Sequence, residues 1–438
     1  MPSNKSVSDE PITQFINCRI LRHHKLQRED LWVRGGKILD PEKLFFDEEG
    51  FADYRIDCEN RIIAPGFIDV QINGGYGIDF SQASDDYSLG IAMVAKKLLQ
   101  HGVTSFCPTI VTSPPAIYQQ VPMHYSHIHT WFIVMSWASV LRIFPFSFSP
   151  PLSFVLPQIR VQNGGPDGAG ILGVHLEGPF ISKEKKGAHP PQFIRSFNIG
   201  AIADLLEIYG QLDNVTMVTL APELPNSGPV IQELARRGII VSLGHSVANL
   251  SQAEAAVLQG STFITHLFNA MLPFHHRDPG IVGLLTSEKV PAQNRIFYGM
   301  IADGIHTHPA ALRIAHRAHP KGLVLVTDAV PAMGLPAGCH SLGQQEIHID
   351  GLHAYVAGTT TLSGSIATMD MCVRHFRDAS GCSEEAALEA ASLHPAELLN
   401  LTHCKGTLDY GSDADFVVLD ESFTVRETYI AGQQVWKK

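Results

Sequence analysis

The chain has 438 residues, of which 45% are hydrophobic and 17% charged, with 32 Lys plus Arg against 43 Asp plus Glu for a formal charge of −11. That length suits one large barrel-type domain with a smaller partner, and the acidic balance excludes nucleic acid and anionic membrane as expected partners. Seven scattered cysteines without a Cys-x-x-Cys pair exclude a disulfide scaffold and a thiolate zinc site, and point to a reduced, cytoplasmic protein.

In chain order, the first fifteen residues lack an apolar stretch, so no secretory signal is expected. Short β segments come next at 14–20 and 30–33, then a turn at Arg34-Gly35-Gly36-Lys37. From residue 61 the pattern changes. Nearly continuous apolar runs recur at 62–70, 102–110, 171–177, 214–221, 238–245, 262–266, 296–302 and 323–328. Such runs suit strands buried on both faces of a parallel sheet, and helical spacing at 85–100, 228–237 and 250–259 supplies the intervening layers. Eight β/α steps predict a (β/α)8 TIM-type barrel. A hairpin is expected at 346–357 with Asp350-Gly351 as its turn, then helices at 366–379 and 383–399 and an alternating tail at 406–436. The two ends are expected to meet as one small β domain, 1–62 with 405–438, flanking a barrel at 63–404. The stretch 121–156 fits neither. It carries one charged residue, Arg142, among aromatics, His and Pro, and as a barrel helix it would break at each proline. It is expected to be an atypical, poorly ordered insertion, and its His124, His127 and His129 are not read as a metal site.

Side chains just past the C-terminal end of a barrel strand face the active-site mouth. Those positions hold Glu177 (Val-His-Leu-Glu-Gly-Pro-Phe), His245 (Ser-Leu-Gly-His-Ser), His266 (Ile-Thr-His-Leu-Phe-Asn-Ala) and Asp328 (Val-Thr-Asp-Ala). A single such His is ordinarily a hydrogen-bonded core residue, and a single Asp often only caps a helix. Four of them closing four different runs are a different matter. One carboxylate with two imidazoles suits one divalent ion, zinc by donor type, with a further position left to water. Asp328 is then the candidate proton carrier. A metal-free sugar-phosphate isomerase or aldolase would want a lysine or a lone Glu/His pair at strand ends; no lysine is there, and sensitivity to a chelator separates the two readings. Cys107 has no neighbouring His and reads as packing, and the glycines of 163–168 open no helix and read as a turn.

The run Ile63-Ala64-Pro65-Gly66-Phe67-Ile68-Asp69-Val70 resembles the first barrel strand of the amidohydrolase superfamily, which usually continues His-x-His. Here Gln71-Ile72-Asn73-Gly74-Gly75 stands instead. With His-Leu-Glu-Gly-Pro-Phe, Gly-Ala-His-Pro, Leu-Gly-His-Ser, Thr-His-Leu-Phe-Asn-Ala-Met and Leu-Ser-Gly-Ser, the chain from about 15 to 436 resembles the N-acetylglucosamine-6-phosphate deacetylases. The resemblance implies a metal-dependent barrel with a β-sandwich from both termini. It also implies removal of acetate from N-acetylglucosamine 6-phosphate, in amino-sugar catabolism. Gln71 and Asn73 are weak neutral ligands, so one essential ion is expected, and any second one is looser. By the same resemblance Asp328 is the catalytic acid/base and His189 polarises the acetamido carbonyl. Ala188, Asn269, Ala270, Asp303, Gly304, Ile305, His306, Leu362, Ser363 and Gly364 contact substrate. Arg277 and His306 hold the phosphate, with Arg277 near the interface of a homodimer; its bland alternative is a surface pair with Asp278. The competing reading is a catalytically impaired, metabolite-binding form, brought about by the insertion at 121–156.

Overall fold

The computed structural model describes residues 10–119 and 155–438, apart from 85, 199–201, 292–293, 343–344 and 360–361. Among these, eight strands form the barrel: β1 (Phe67–Ile72), β2 (Val103–Val111), β3 (Val174–Glu177), β4 (Val215–Leu220), β5 (Ile240–Leu243), β6 (Phe263–Ile264), β7 (Phe297–Ile301) and β8 (Leu323–Val326). Each pairs in parallel with the next in sequence, from β1 through to β8. Parallel neighbours require a crossover, and the apolar strands leave both faces to be covered, so helices such as Ser227–Arg236 and Leu250–Leu258 run outside. The second of these starts at a capping box, Asn249 bonded to the Gln252 N–H and the Gln252 side chain bonded back to Asn249.

The seam between β8 and β1 is closed differently. Asp328 N–H donates to Gln71 O at 2.9 Å and Asn73 N–H to Ala329 O at 2.8 Å. Below them the Thr327 hydroxyl donates to the buried Asp69 carboxylate at 2.6 Å. Burial pushes Asp69 up to about 7, against the hydrogen bonds from Thr327 and Gln71.

Strands from both ends of the chain share a six-stranded sheet, in the order Gln433–Lys437, Val425–Ile430, Phe416–Leu419, Ile62–Pro65, Arg19–Arg22, Lys25–Arg28. A four-stranded sheet containing Thr13–Ile16 and Leu31–Arg34 packs on it through Phe15, Ile20, Leu31, Ile63, Phe416 and Tyr429. Three sequence expectations need correction. The run 62–70 is two strands: Ile62–Pro65 pairs with Phe416–Leu419, and only β1 enters the barrel. Gly66 lies between them, and no side chain fits there, since a Cβ would meet Thr104 Cβ at 2.8 Å. The segment 14–20 likewise splits into Thr13–Ile16 and Arg19–Arg22, with Asn17 left-handed at φ 54° between them. A helix, Pro41–Asp47, also interrupts the β region read for the first sixty residues, with Asp40 as its N-cap and Pro41 in its first turn.

The atypical stretch 121–156 lies outside the described residues except for Val155 and Leu156. Val155 N–H donates to Ile117 O at 2.7 Å, so the chain leaves and returns at one place. No helix among the described residues is long and apolar enough to cross a membrane.

Candidate metal and catalytic site

Four strand ends converge. Glu177 closes β3, and His245, His266 and Asp328 each lie two residues after the last residue of β5, β6 and β8. The three after β5, β6 and β8 have left-handed backbones, with φ of 48°, 25° and 46°. Non-glycine residues hold such conformations only where the surrounding structure over-determines them. Glu177 Oε1 lies 2.9 Å from His245 Nε2 and 3.1 Å from His266 Nε2, and the two imidazole nitrogens are 3.1 Å apart. All three groups are buried.

This set fits a divalent ion. His245 Nδ1–H donates to Lys185 O at 2.8 Å, which leaves the Nε2 lone pair facing Glu177. Three Lewis bases then crowd one point, and this is the only metal-capable group of three among the described residues. The electrostatics agree. Burial works to lower the His266 imidazole, but the Glu177 carboxylate against it wins and pushes it up to about 9. Burial works to raise Glu177, and the two imidazoles hold it well below the usual carboxylate range. The pocket thus attracts a cation, and in its absence binds a proton.

Asp328 faces the same cup. Burial first, and then the Glu177 charge, push it up to about 6, against the pull of His266, Asn73 and His306. Gln71 and Asn73, too weak by donor type to be essential ligands, turn their amide groups to the carboxylates as donors. Gln71 Nε2 lies 3.1 Å from Glu177 Oε2 and 3.2 Å from Asp328 Oδ1, and Asn73 Nδ2 lies 2.7 Å from Asp328 Oδ1. Carboxylates only accept, so the NH2 ends must face them. The amide oxygens of both residues are buried, with no hydrogen-bond partner among the described residues.

His189 is buried against His245, with ring centroids 4.4 Å apart, and burial pushes it down to about 3, so it is neutral. Its Nδ1 sits 2.6 Å from the Thr112 hydroxyl and 3.4 Å from the Thr112 N–H. Thr112 directly succeeds β2, yet the sequence does not single it out among the strand ends. Ala188 beside His189 is exposed.

The other candidates lie on loops beyond β6, β7 and β8. Asn269 and Ala270 come after β6, and Ala270, left-handed at φ 50°, accepts a bond from Ser246 N–H. After β7, Asp303 takes the N–H groups of Ile305 and His306 at 2.9 and 2.8 Å and holds His306 Nδ1 at 2.5 Å. Burial opposes the charge on both partners, but this contact pushes His306 up and Asp303 down. Gly304 between them is left-handed at φ 80° and packed against His375. Leu362, Ser363 and Gly364 are half-buried, and the Ser363 hydroxyl has no partner among the described residues.

Arg277 stands apart on the exposed loop after Met271, without an ion pair among the described residues. Pairing with Asp278 is thereby corrected, since that carboxylate instead accepts Leu250 N–H and Gly280 N–H at 3.0 and 3.2 Å. Cys107 is buried, as packing requires. Gly165 and Gly168 bond to each other in a tight turn.

The model of the amidohydrolase family matches residues 169–435. A Danio rerio N-acetylglucosamine-6-phosphate deacetylase is 71% identical over 438 residues, covering all of both chains. Its Homo sapiens counterpart is 63% identical over 437 residues, covering all of this chain and 98% of that one. Among solved structures, a mutant N-acetyl-D-glucosamine-6-phosphate deacetylase from Mycobacterium smegmatis, in complex with N-acetyl-D-glucosamine-6-phosphate, superposes with a TM-score of 0.73. It is 28% identical and covers 98% of this chain and 100% of its own. On motifs, barrel and site together, the chain belongs to the amidohydrolase family, in the branch of the N-acetylglucosamine-6-phosphate deacetylases.

Proposed function

We propose that this chain hydrolyses the acetamide of N-acetylglucosamine 6-phosphate, giving acetate and glucosamine 6-phosphate. The observation that carries the reading is the cup formed by Glu177, His245 and His266 with Asp328 poised at about 6 beside it. A divalent ion, zinc by its donor set, would supply Lewis acidity at the acetyl carbonyl and acidify water held between it and Asp328.

The side chains do the rest. Asp328 accepts the proton of the attacking water and passes it to the sugar nitrogen as the C–N bond breaks, a task suited to a group that titrates near neutrality. His189 is neutral and offers an N–H to the carbonyl oxygen as negative charge develops there. His306, whose protonated form the contact with Asp303 favours, takes the phosphate. Arg277 adds a guanidinium from the partner subunit of a homodimer, which its exposed loop and lack of an internal ion pair support. Ala188, Asn269, Ala270, Gly304, Ile305 and the 362–364 loop line the sugar.

A division into a small β domain from both termini and a barrel belongs to the same reading, supported by the shared six-stranded sheet; because Ile62–Pro65 lies in that sheet, the boundary drawn at 62/63 moves to Gly66. So do a cytoplasmic location, supported by the scattered free cysteines, and the foreign nature of 121–156, supported by the adjacency of its flanks. The catalytically impaired alternative has no support, because the catalytic set assembles completely and the relatives are named deacetylases.

Acetate release by the purified protein, before chelation, after it and with zinc restored, tests the proposal. Release lost and regained is expected. Turnover that survives removal of the metal would overturn it.

A further inference from the structure

Thr112 is placed to do one thing for which the reaction has a use. Imidazole has two neutral tautomers, and only the one with its proton on Nε2 can offer a donor from the ring edge opposite Nδ1. At His189 the backbone N–H of Thr112 points at Nδ1 from 3.4 Å. A backbone N–H can only donate, so this nitrogen must carry a lone pair. The Thr112 hydroxyl, 2.6 Å from the same atom, then donates as well. If Nδ1 held the proton, the hydroxyl could accept it but the Thr112 N–H would face another hydrogen.

The surroundings are built around this contact. Thr112 is buried at the end of β2, and His189 is buried after the turn at Lys186, to whose carbonyl its own N–H donates at 3.0 Å. Gly178, just past β3, runs alongside both with φ 75°. A Cβ there would lie 2.2 Å from Thr112 Oγ1 and 3.5 Å from His189 Nδ1, so no side chain fits. Three separate segments meet at one imidazole nitrogen.

We propose that Thr112 is a positioning residue, which locks His189 in the Nε2–H tautomer and thereby aims its one donor at the acetyl oxygen. This rests on the polarising role given to His189 above. Thr112 itself touches no reacting atom. Its effect on the rate passes wholly through His189.

The test compares Thr112→Val, which keeps the shape and removes the hydroxyl, with Thr112→Ser, which keeps the hydroxyl. Acetate release by the zinc-loaded enzyme should show kcat about 10- to 100-fold lower in Thr112→Val with KM within about threefold, and near-native kinetics in Thr112→Ser. In metal-free protein labelled with 15N at histidine, the His189 Nδ1 resonance should be that of an unprotonated nitrogen in the native and serine forms. It should shift toward a tautomer mixture in the valine form. In a His189→Ala background, Thr112→Val should cost less than about twofold more. Thr112→Ala replaces the valine variant if the latter does not fold.

An equal loss from Thr112→Val in the His189→Ala background, or a native Nδ1 that carries its proton, overturns the inference. Full activity in Thr112→Val with activity lost in His189→Ala overturns it while sparing the role of His189. Full activity in His189→Ala removes that role, and this inference with it.

Discussion

Replacing Asp328 with Asn separates chemistry from architecture, because the two effects run in opposite directions. The carboxyl is buried, and its rise from an ordinary 3.8 to about 6 means that folding disfavours the ionised form. At about 1.4 kcal/mol per pH unit, this amounts to about 3 kcal/mol in the metal-free protein. Linkage sets the sign. Below the unfolded value both states hold the proton and nothing is lost, and above about 6 both are ionised and the full penalty applies. An amide escapes it. Its oxygen still accepts from Asn73 Nδ2, now 2.7 Å away, and the unpartnered oxygens of Gln71 and Asn73 can receive its new N–H groups. Metal-free Asp328→Asn should therefore melt at or above the native temperature at pH 8, and the advantage should vanish near pH 4. The zinc-loaded variant should retain its metal and lose about 10³-fold in kcat, because no group is left to carry the proton. Acetate release, metal analysis and thermal unfolding at the two pH values read all three. A variant within tenfold of native kcat would refute the role of Asp328, and one that melts lower at pH 8 would refute the electrostatic reasoning.

Metal loading should displace a proton. In free protein His266 is protonated below about 9 while Glu177 is already ionised, so zinc binding at pH 7 should release at least one proton, the one on His266, with any further release coming from acidified water. Calorimetry in buffers of different ionisation enthalpy counts it, and a count of zero would contradict the site. Arg277→Ala should raise KM by about tenfold or more with kcat nearly unchanged, and equilibrium sedimentation should show a dimer; a monomer with native KM would remove Arg277 from the phosphate site. Deleting residues 120–154 should leave activity intact and the melting temperature within a few degrees, since Ile117 and Val155 are already hydrogen-bonded neighbours. A less stable, less active product would show that the stretch belongs to the fold.

The metal and acid groups were legible because the rule that found them is geometric. A parallel barrel strand directs the residues just past its C-terminal end to one mouth, and Glu177, His245, His266 and Asp328 are residue types that announce themselves there. Thr112 obeys the same rule but stays hidden, because a threonine has no ligand chemistry until the imidazole beside it is known. Gln71 and Asn73 were legible as weak neutral groups in place of the usual His-x-His, but the way their amides turn is decided by the nearby Asp328 and Glu177 carboxylates, which are remote in sequence. In the fold, the run 62–70 looked continuous because both halves are apolar. Its break shows only in the partners of the two halves, Phe416–Leu419 for one and β2 for the other, both remote in sequence. The helix Pro41–Asp47 was signalled by Asp40-Pro41, a cap leading into a first-turn proline, but its seven residues are too few to show a period.

The proposed chemistry depends most on a cation between three named atoms. Anomalous X-ray diffraction at the zinc edge, on crystals of the zinc-loaded enzyme active in acetate release, should show one strong peak in contact with Glu177 Oε1, His245 Nε2 and His266 Nε2. A peak elsewhere, or none in crystals of enzyme that turns over, would contradict it.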